Sequence, residues 1–485
     1  MGKYRNLALN LAIFALNMVA TRLITFVLVP LYTYFLSAGE YGITDMSLTV
    51  ITLATPLVTL SIADAALRFI IDDGEHASEY VAIGVCVTLG SVVLVSVLSP
   101  VLDLPVFGGL GAYKGLFVLA YASNAVFNFC GELARGLNHV KLIPVCAVTS
   151  SLVMAGLAFP LIGLVRLGVV GYFISVITGP LVGAVVYVVL GRYPAIIMRG
   201  FRALRSGEER GLRVSDAFRR MLAYSLPLIP NALFWWIGTS INRFFITGML
   251  GIAASGLFAA ASKISNMLNM LYTVFQQAWQ LSAFQESKDE RVAEFFSTVF
   301  SVLLAVMGVG AAALSCLAPL IASVLLQKEF YTAWTLIPVS LLAFYFNALN
   351  AFLGTVFTAN MKTRSLMTTT FVGSVLCMLL TWLLIPPFGL VGASTAMVVG
   401  NAAVFLLRVR SARQVIRFDM AWPRLVLTSV LLCGQAAVVY LQLPGWPAVS
   451  AGALAVLAVV HIVCNCRLLA TALQVVHARR LGRKR

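Results

Sequence analysis

Charged residues are scarce in this chain of 485 residues. Only 11% of them are Asp, Glu, Lys or Arg, and 60% are hydrophobic, whereas a soluble domain carries about 25% charged residues. A chain of this composition lacks the polar surface that a water-exposed globule needs. The composition therefore excludes a soluble enzyme, a nucleic-acid-binding protein and a disordered protein.

Motifs for catalysis, metal binding and nucleotide hydrolysis are also missing. The sequence has no Walker A loop, and its four histidines form no cluster. The eight cysteines lie scattered in apolar segments without paired spacing, and Cys464 and Cys466 are too close together and too isolated for a zinc site. We therefore expect no enzyme activity, no metal and no cofactor, and a packing role for the cysteines.

Long apolar segments fill the sequence instead. A helix needs about 20 mostly apolar residues to cross a bilayer, and about fourteen segments have this length. They cover residues 7–36, 43–70, 80–102, 113–136, 142–165, 168–191, 221–250, 253–283, 292–318, 333–357, 365–386, 389–407, 423–441 and 447–466. The sequence predicts an all-α integral membrane protein, with an outer loop or partial helix at 317–333. Segment 7–36 is too long for a signal peptide and has no clear cleavage site.

The basic residues predict the orientation, because cytoplasmic loops are enriched in Lys and Arg. With both termini inside, the basic clusters at 192–220, at 408–417 and in the tail lie in the cytoplasm, and only Lys114, Arg166 and Lys328 lie at the outer edge. This arrangement also explains the net charge of +16 without nucleic acid. The tail 467–485 is typical of a helix on the inner leaflet or of an orientation signal.

Three pairs of similar motifs indicate an internal duplication. Residues 36–43 resemble residues 250–257, Gly168–Gly171 resembles Gly389–Gly392, and Asn138 corresponds to Asn360, at nearly constant offsets. The duplication predicts an N-lobe of six spans (1–191), a basic cytoplasmic linker (192–220) and a C-lobe of six spans (221–407). Residues 408–485 then form two appended spans and the tail. An even number of spans gives both lobes one orientation, as in parallel-repeat transporters.

Three cations lie deep inside predicted spans, where charge is costly. Arg22 lies about 21 Å from either end of its span at 1.5 Å per residue, whereas Arg243 and Lys263 lie closer to the outer ends. Such cations either snorkel to an interface or line a cavity. If they line a common cavity, they suit an anionic headgroup, because Arg matches phosphate oxygens with a planar fork.

Other polar residues in the spans admit two interpretations each. Asp64 and Arg68, and likewise Glu132 and Arg135, have the spacing of intrahelical ion pairs, and an ion-coupling role is the alternative. Amide side chains suit a sugar-binding wall or ordinary contacts between helices. They include Asn124, Asn128, Asn242, Asn266, Asn269, Gln276 and Gln280. Pro227 and Pro230 predict a bend in the seventh span.

Several segments together resemble the bacterial polysaccharide (O-antigen, capsule or exopolysaccharide repeat-unit) flippases. These belong to the multidrug/oligosaccharidyl-lipid/polysaccharide exporter (MOP) superfamily. The similar segments are Tyr224–Pro230, Ser240–Ile246, Gly256–Ile264, Gln277–Phe284 and the opening stretch Thr25–Asp72. One position departs from the pattern: relatives often have an acid before the basic residue, whereas this chain has Asn242 before Arg243. A partner for Arg243, or a coupling role there, is therefore in doubt.

The resemblance implies a two-lobed transporter with alternating access in a bacterial inner membrane. It would move undecaprenyl-diphosphate-linked oligosaccharides from the inner to the outer leaflet, with Arg22, Arg243 and Lys263 holding the diphosphate. The bilayer, the lipid-linked glycan and the polysaccharide biosynthesis machinery would be its partners. A lipid II flippase and a cation-coupled multidrug exporter are alternatives in the same superfamily. A membrane polymerase or glycosyltransferase is a more distant one, against which the short outer loops argue.

Overall fold

The computed structural model describes residues 24, 26–206, 214–286, 292–359 and 363–482, and among these residues it is helical without a strand. Backbone groups inside a bilayer must be hydrogen-bonded within the chain, which a helix achieves by itself. By contacts the chain divides into two compact units. The first comprises the described residues up to Ala260 with Leu325–Phe330, and the second comprises Ala261–Val324 and the residues from Tyr331 onwards.

The first unit contains eleven helices and the start of a twelfth. They are α1 (Phe26–Phe35), α2 (Ala38–Val58), α3 (Ile62–Asp72), α4 (Ala77–Leu98), α5 (Lys114–Gly136), α6 (Leu142–Ala158), α7 (Gly168–Leu190), α8 (Tyr193–Ser206), α9 (Val214–Ser225), α10 (Leu228–Ser240), α11 (Asn242–Leu250) and α12 (Ile252–Glu286). Two apolar clusters hold this unit together. One lies around Tyr80, Phe129 and Tyr187, and the other around Met46, Phe117 and Phe173.

The second unit contains the rest of α12 and six further helices. They are α13 (Val292–Cys316), α14 (Ala318–Leu325), α15 (Ile337–Ala359), α16 (Thr363–Ala412), α17 (Trp422–Tyr440) and α18 (Trp446–Gly482). The predicted appended spans, α17 and α18, pack against α13. Gln435 on α17 donates a hydrogen bond to the Ala312 carbonyl of α13 at 3.1 Å. The stretch 317–333, predicted as an outer loop or partial helix, contains α14 and the start of the 3₁₀ segment Lys328–Leu336, and its residues Leu325–Phe330 belong to the first unit.

Among the described residues, ten helical segments are long and apolar enough to cross a membrane. One of them, Ser365–Ala412, covers two predicted spans, which meet at a kink where Gly389 has φ 57°. The seventh predicted span is broken into α9, α10 and α11, with the first break at Pro227, as proline predicts. The protein is thus a multi-pass membrane protein, and the total of fourteen spans stays a prediction.

The matched glycine motifs of the predicted duplication adopt the same local conformation. Gly168 has φ 56° and Gly389 has φ 57°, a region that favours glycine because it has no Cβ. The second glycine of each motif then approaches the preceding helix. A Cβ on Gly171 would contact the Leu161 backbone, and one on Gly392 would overlap the Leu384 carbonyl.

The other matched motif forms a contact with its own counterpart, inside the first unit. A Cβ added to Gly42 would overlap the carbonyl oxygen of Ile252, and one added to Gly256 would overlap that of Ala38. Gly42 corresponds to Gly256, and Ala38 to Ile252, at the same offset of 214 positions. We call these two first turns of α2 and α12 the paired-glycine contact.

Candidate functional site

Arg243 forms an ion pair with an acid that the sequence analysis did not single out. Its Nε lies 2.5 Å from Oδ2 of Asp45, and the two side chains are only 18% and 6% exposed. Arg243 is the second residue of the short helix α11, whereas Asp45 lies on α2. The acid that is absent at position 242 is therefore supplied from another helix. Arg243 carries no uncompensated charge in this state.

Two aromatic side chains, Trp236 and Phe244, pack together next to the helices that carry this pair. The indole of Trp236 donates to the Thr49 carbonyl of α2 at 3.2 Å and packs edge-on against Phe244, with ring centroids 5.6 Å apart. Beside them lies an apolar cavity of about 390 Å³. It is lined by Leu53, Val106, Trp236, Ile241, Phe244, Phe245, Gly248 and Met249. The wall of this cavity is thus apolar, and neither Arg243 nor Asp45 is among its lining residues.

Helix α5 carries a continuous polar face along a membrane span. Asn128 Nδ2 donates to Asn124 Oδ1 at 2.7 Å, and the expected pair of Arg135 with Glu132 is present at 3.0 Å. These residues are half-buried or exposed, whereas Tyr121, Ala125 and Phe129 on the other side are buried. Because amides and charges are costly against lipid, we expect this face to border water or other polar groups and not acyl chains.

The predicted pair of Asp64 with Arg68 is wrong. Arg68 Nε instead lies 2.8 Å from Oδ2 of Asp72, one turn further towards the end of α3. A long arginine stem reaches the more polar helix end, where its charge is better solvated. Asp64 is left exposed and interacts electrostatically with Arg135 and Glu132 on α5. The first unit thus brings two carboxylates close to one guanidinium.

The predicted residues of α12 lie in the second unit and share one side of that helix. Lys263, Asn266, Asn269 and Gln276 are all half-buried, whereas Ile264, Ser265, Leu268 and Tyr272 are buried. Spacings of three, three and seven residues place the first group on one face. Arg22 lies outside the described residues, and so does the side chain of Gln280. Asn242 is buried at the start of α11.

A second deep arginine was missed because the sequence placed Arg408 in a cytoplasmic cluster. It is only 7% exposed. It donates to the Asn350 carbonyl at 2.5 Å, to Thr370 Oγ1 at 2.9 Å and to Thr369 Oγ1 at 3.3 Å. These acceptors are neutral, and the hydrogen bond to Asn350 joins α16, which carries Arg408, to α15. The predicted twelfth span ends at residue 407, directly before Arg408, so neither the span boundary nor any motif indicated this role.

Among the described residues, no group of three or more His, Cys, Asp or Glu side chains could hold a metal ion. At the edge of the spans, His76 Nδ1 lies 3.0 Å from Asp73 Oδ1, and Tyr80 donates to the same carboxylate at 3.1 Å. The hydrogen bond with His76 holds the pKa of Asp73 below its usual value. This cluster ties the end of α3 to α4.

Comparison with known proteins identifies relatives by sequence and by fold. The sequence profile of the polysaccharide biosynthesis protein family matches residues 7–280. No curated protein sequence matches the chain. The lipid II flippase MurJ in an inward closed conformation has a similar structure, with TM-score 0.70 and 12% identity over 94% of this chain and 99% of that one.

Two MATE transporter structures are also similar. An inward-facing MATE family transporter of the MOP superfamily has TM-score 0.63 and 15% identity, over 82% of this chain and 95% of that one. A point mutant of the Vibrio cholerae MATE transporter VcmN has TM-score 0.55 and 16% identity, over 85% and 99%. At these identities the likeness establishes a shared fold.

Proposed function

The chain belongs to the polysaccharide biosynthesis protein family, and we propose that it is an alternating-access flippase for lipid-linked oligosaccharides. Its substrate would be an undecaprenyl-diphosphate-linked repeat unit, moved from the inner to the outer leaflet of a bacterial inner membrane. The chain would act as a transporter and not as an enzyme, in keeping with the transporters that share its fold.

The polar face of α5 is the observation that supports this proposal most directly. An apolar span that presents Asn124, Asn128 and Glu132 on one side provides hydrogen-bond donors and acceptors for hydroxyl groups inside the membrane. The half-buried amides of α12, Asn266, Asn269 and Gln276, provide the same chemistry. We assign the sugar contacts to seven amide side chains, Asn124, Asn128, Asn242, Asn266, Asn269, Gln276 and Gln280.

The diphosphate would bind to Arg22, Arg243 and Lys263. For Arg243, the Asp45 carboxylate holds the guanidinium in place while the site is empty. A diphosphate carries more negative charge than one carboxylate, and it can compete with Asp45 for the same planar fork. Arg243 keeps an anionic partner throughout this exchange, and the displaced Asp45 carboxylate then needs a proton or another cation, because it is only 6% exposed.

Asp64, Arg68 and Glu132 are candidates for ion coupling. Asp64 and Glu132 lie close to the single guanidinium of Arg135, so this group carries one net negative charge when both carboxylates are ionised. A proton or a monovalent cation can neutralise that charge, while Arg68 is held by Asp72.

We further propose fourteen spans with both termini in the cytoplasm. Ten helical segments qualify as spans, one of them covering two predicted spans, and α1, the α9–α11 group and α12 account for the remaining three. We also propose two lobes of six spans each with a linker at 192–220, on the basis of the internal duplication that the sequence indicates. The inner membrane and the polysaccharide biosynthesis machinery are its proposed location and partner.

The proposal is tested by measuring leaflet-resolved accumulation of the lipid-linked repeat unit in cells that lack the chain. We expect accumulation in the inner leaflet, relieved by wild type and by the control Arg410→Ala, whose side chain is exposed. Arg243→Ala and Asn128→Leu, each verified as inserted, should fail to relieve it. Outward delivery that continues without the chain, in cells without a redundant flippase, contradicts the proposal.

Two alternatives receive support from particular observations. The lipid II flippase MurJ shares the fold, and lipid II presents the same diphosphate. A multidrug exporter is favoured by the acids Asp64 and Glu132, which suit organic cations. The same cells distinguish them: accumulated lipid II indicates the first alternative, and retained cationic dye indicates the second.

A further inference from the structure

Helix α8 lies at the edge of the membrane-spanning region. It begins at Tyr193, three residues after the span α7 ends at Leu190. It packs against the first turn of another span, α4, where a Cβ on Gly200 would overlap the carbonyl oxygen of Ser78. These two attachments place α8 at the level where both spans leave the apolar core of the bilayer.

One side of α8 is fixed firmly to the first unit. The Tyr193 ring is 1% exposed and stacks on His139, with ring centroids 6.3 Å apart and planes 5° apart. Its hydroxyl donates to the Cys130 carbonyl at 3.4 Å. Ile196, Ile197 and Leu204 complete the contact with the apolar cluster of this unit. The opposite side of α8 therefore faces away from the first unit.

The opposite side combines basic and large apolar residues. Arg199, Arg202 and Arg205 are exposed, and Met198 and Phe201 are 54% and 41% exposed. Spacings of three and four residues place them on one helical face. We call this face of α8 the basic–apolar face.

The arginines of this face have no acidic partner among the described residues; Arg199 donates only to the Ala195 carbonyl, at 3.3 Å. The surrounding segment 192–220 contains eight arginines and three acids. A face that offers fixed positive charge and bulky apolar side chains at a membrane edge matches a surface with anionic groups above an apolar layer.

We infer that the basic–apolar face of α8 binds anionic phospholipid of the leaflet that it borders, the inner leaflet in the proposed orientation. Arg199, Arg202 and Arg205 contact the headgroup phosphates, while Met198 and Phe201 enter the boundary between headgroups and acyl chains. The bound lipids hold the α4–α8 corner of the first unit at a fixed depth. This site is separate from the transported substrate and does not depend on its identity.

The test uses the purified full-length protein and native mass spectrometry with phosphatidylglycerol. A basic residue at a membrane surface contributes about fivefold to anionic lipid binding, so Arg199→Gln/Arg202→Gln/Arg205→Gln should lower the affinity by at least about tenfold. The matched control Arg219→Gln/Arg410→Gln/Arg417→Gln removes the same charge from exposed positions elsewhere and should stay within about threefold of wild type.

A second variant separates loss of binding from loss of folding. Arg199→Lys/Arg202→Lys/Arg205→Lys keeps the charge and should bind within about threefold of wild type, because a point charge suffices for a fluid headgroup layer. Equal losses in the glutamine variant and its control overturn the proposal. So does binding of undecaprenyl diphosphate, or of an acidic protein, at this face in preference to phosphatidylglycerol.

Discussion

The Arg243–Asp45 pair shows how a single residue changes the meaning of a motif. Sequence similarity presented Arg243 as a deep cation without an acid beside it, because position 242 is Asn. The structure brings Asp45 to it across 198 positions of sequence. Which acid meets which base depends on helix packing, and no local spacing encodes that packing. By contrast, the Glu132–Arg135 pair lies within one helix turn and was predictable.

We expect Asp45→Asn to destabilise the protein by about 3–5 kcal/mol, because it leaves a buried guanidinium uncompensated. Asp45→Asn/Arg243→Gln should recover most of that loss, since both charges are then absent. Thermal unfolding in detergent measures both variants. An Asp45→Asn protein as stable as wild type would show that Arg243 reaches water or another acid.

Asp73 gives a prediction about pH at the same scale. Its pKa is lowered in the fold by the hydrogen bond with His76. Stabilisation from a lowered carboxylate pKa is fully present above the unfolded value, near 3.8, and is lost as the pH falls through the folded value. The difference in unfolding temperature between wild type and Asp73→Asn should therefore shrink below about pH 4. A difference that stays constant from about pH 7 down to about pH 3 would contradict this prediction.

At the scale of single elements, the sequence predicts where a helix breaks better than it predicts which helices touch. Pro227 predicted the end of α9, and the Gly389 motif marked the kink in α16, since both residues act on their own backbone. The break between α2 and α3 was not foreseen. It depends on Leu60 and Ser61 at φ 54° and 49°, a conformation for which neither residue type has a preference.

The paired-glycine contact leads to a prediction about the elements that it joins. Gly42→Ala or Gly256→Ala should destabilise the protein by about 1–3 kcal/mol, because the added methyl group meets a backbone carbonyl that has no rotamer to change. Thermal unfolding of the full-length protein in detergent measures the effect.

Gly90→Ala is the matched control for this contact. It lies within α4 with nothing near its Cβ position, so the same substitution should be neutral or stabilising by up to about 1 kcal/mol. If all three variants unfold alike, the close approach of α2 and α12 is absent in the protein.

At the scale of the whole molecule, composition and hydropathy were sufficient for the class of fold. Eleven of the predicted spans correspond to the ten apolar segments, with Ser365–Ala412 counted as two. The contacts that group α9–α11 with the first unit were not predictable, because hydropathy records how long a span is and not which span it touches. Arg408 illustrates the same limit, since its three acceptors come from two helices.

The proposed orientation predicts where fusion proteins are active. Green fluorescent protein fused after residue 485 should fluoresce, and alkaline phosphatase fused there should be inactive, because the C-terminus is expected in the cytoplasm. Alkaline phosphatase inserted at Gly445, between α17 and α18, should be active. The reverse pattern at both sites would show that the chain has the opposite orientation in the membrane.

The paired-glycine contact also bears on how such a chain can arise. In it, position 42 meets position 252 and position 256 meets position 38, so each partner presents the same patch to the other. This is the reciprocity of a two-fold interface between identical subunits. A chain with one copy of this turn would possess everything needed to make the contact with a second molecule. In one polypeptide that carries both copies, a substitution alters only one side of the contact. The two turns can therefore differ: Ser37 and Glu40 cap α2, whereas Gly251 and Ala254 occupy the corresponding positions at α12.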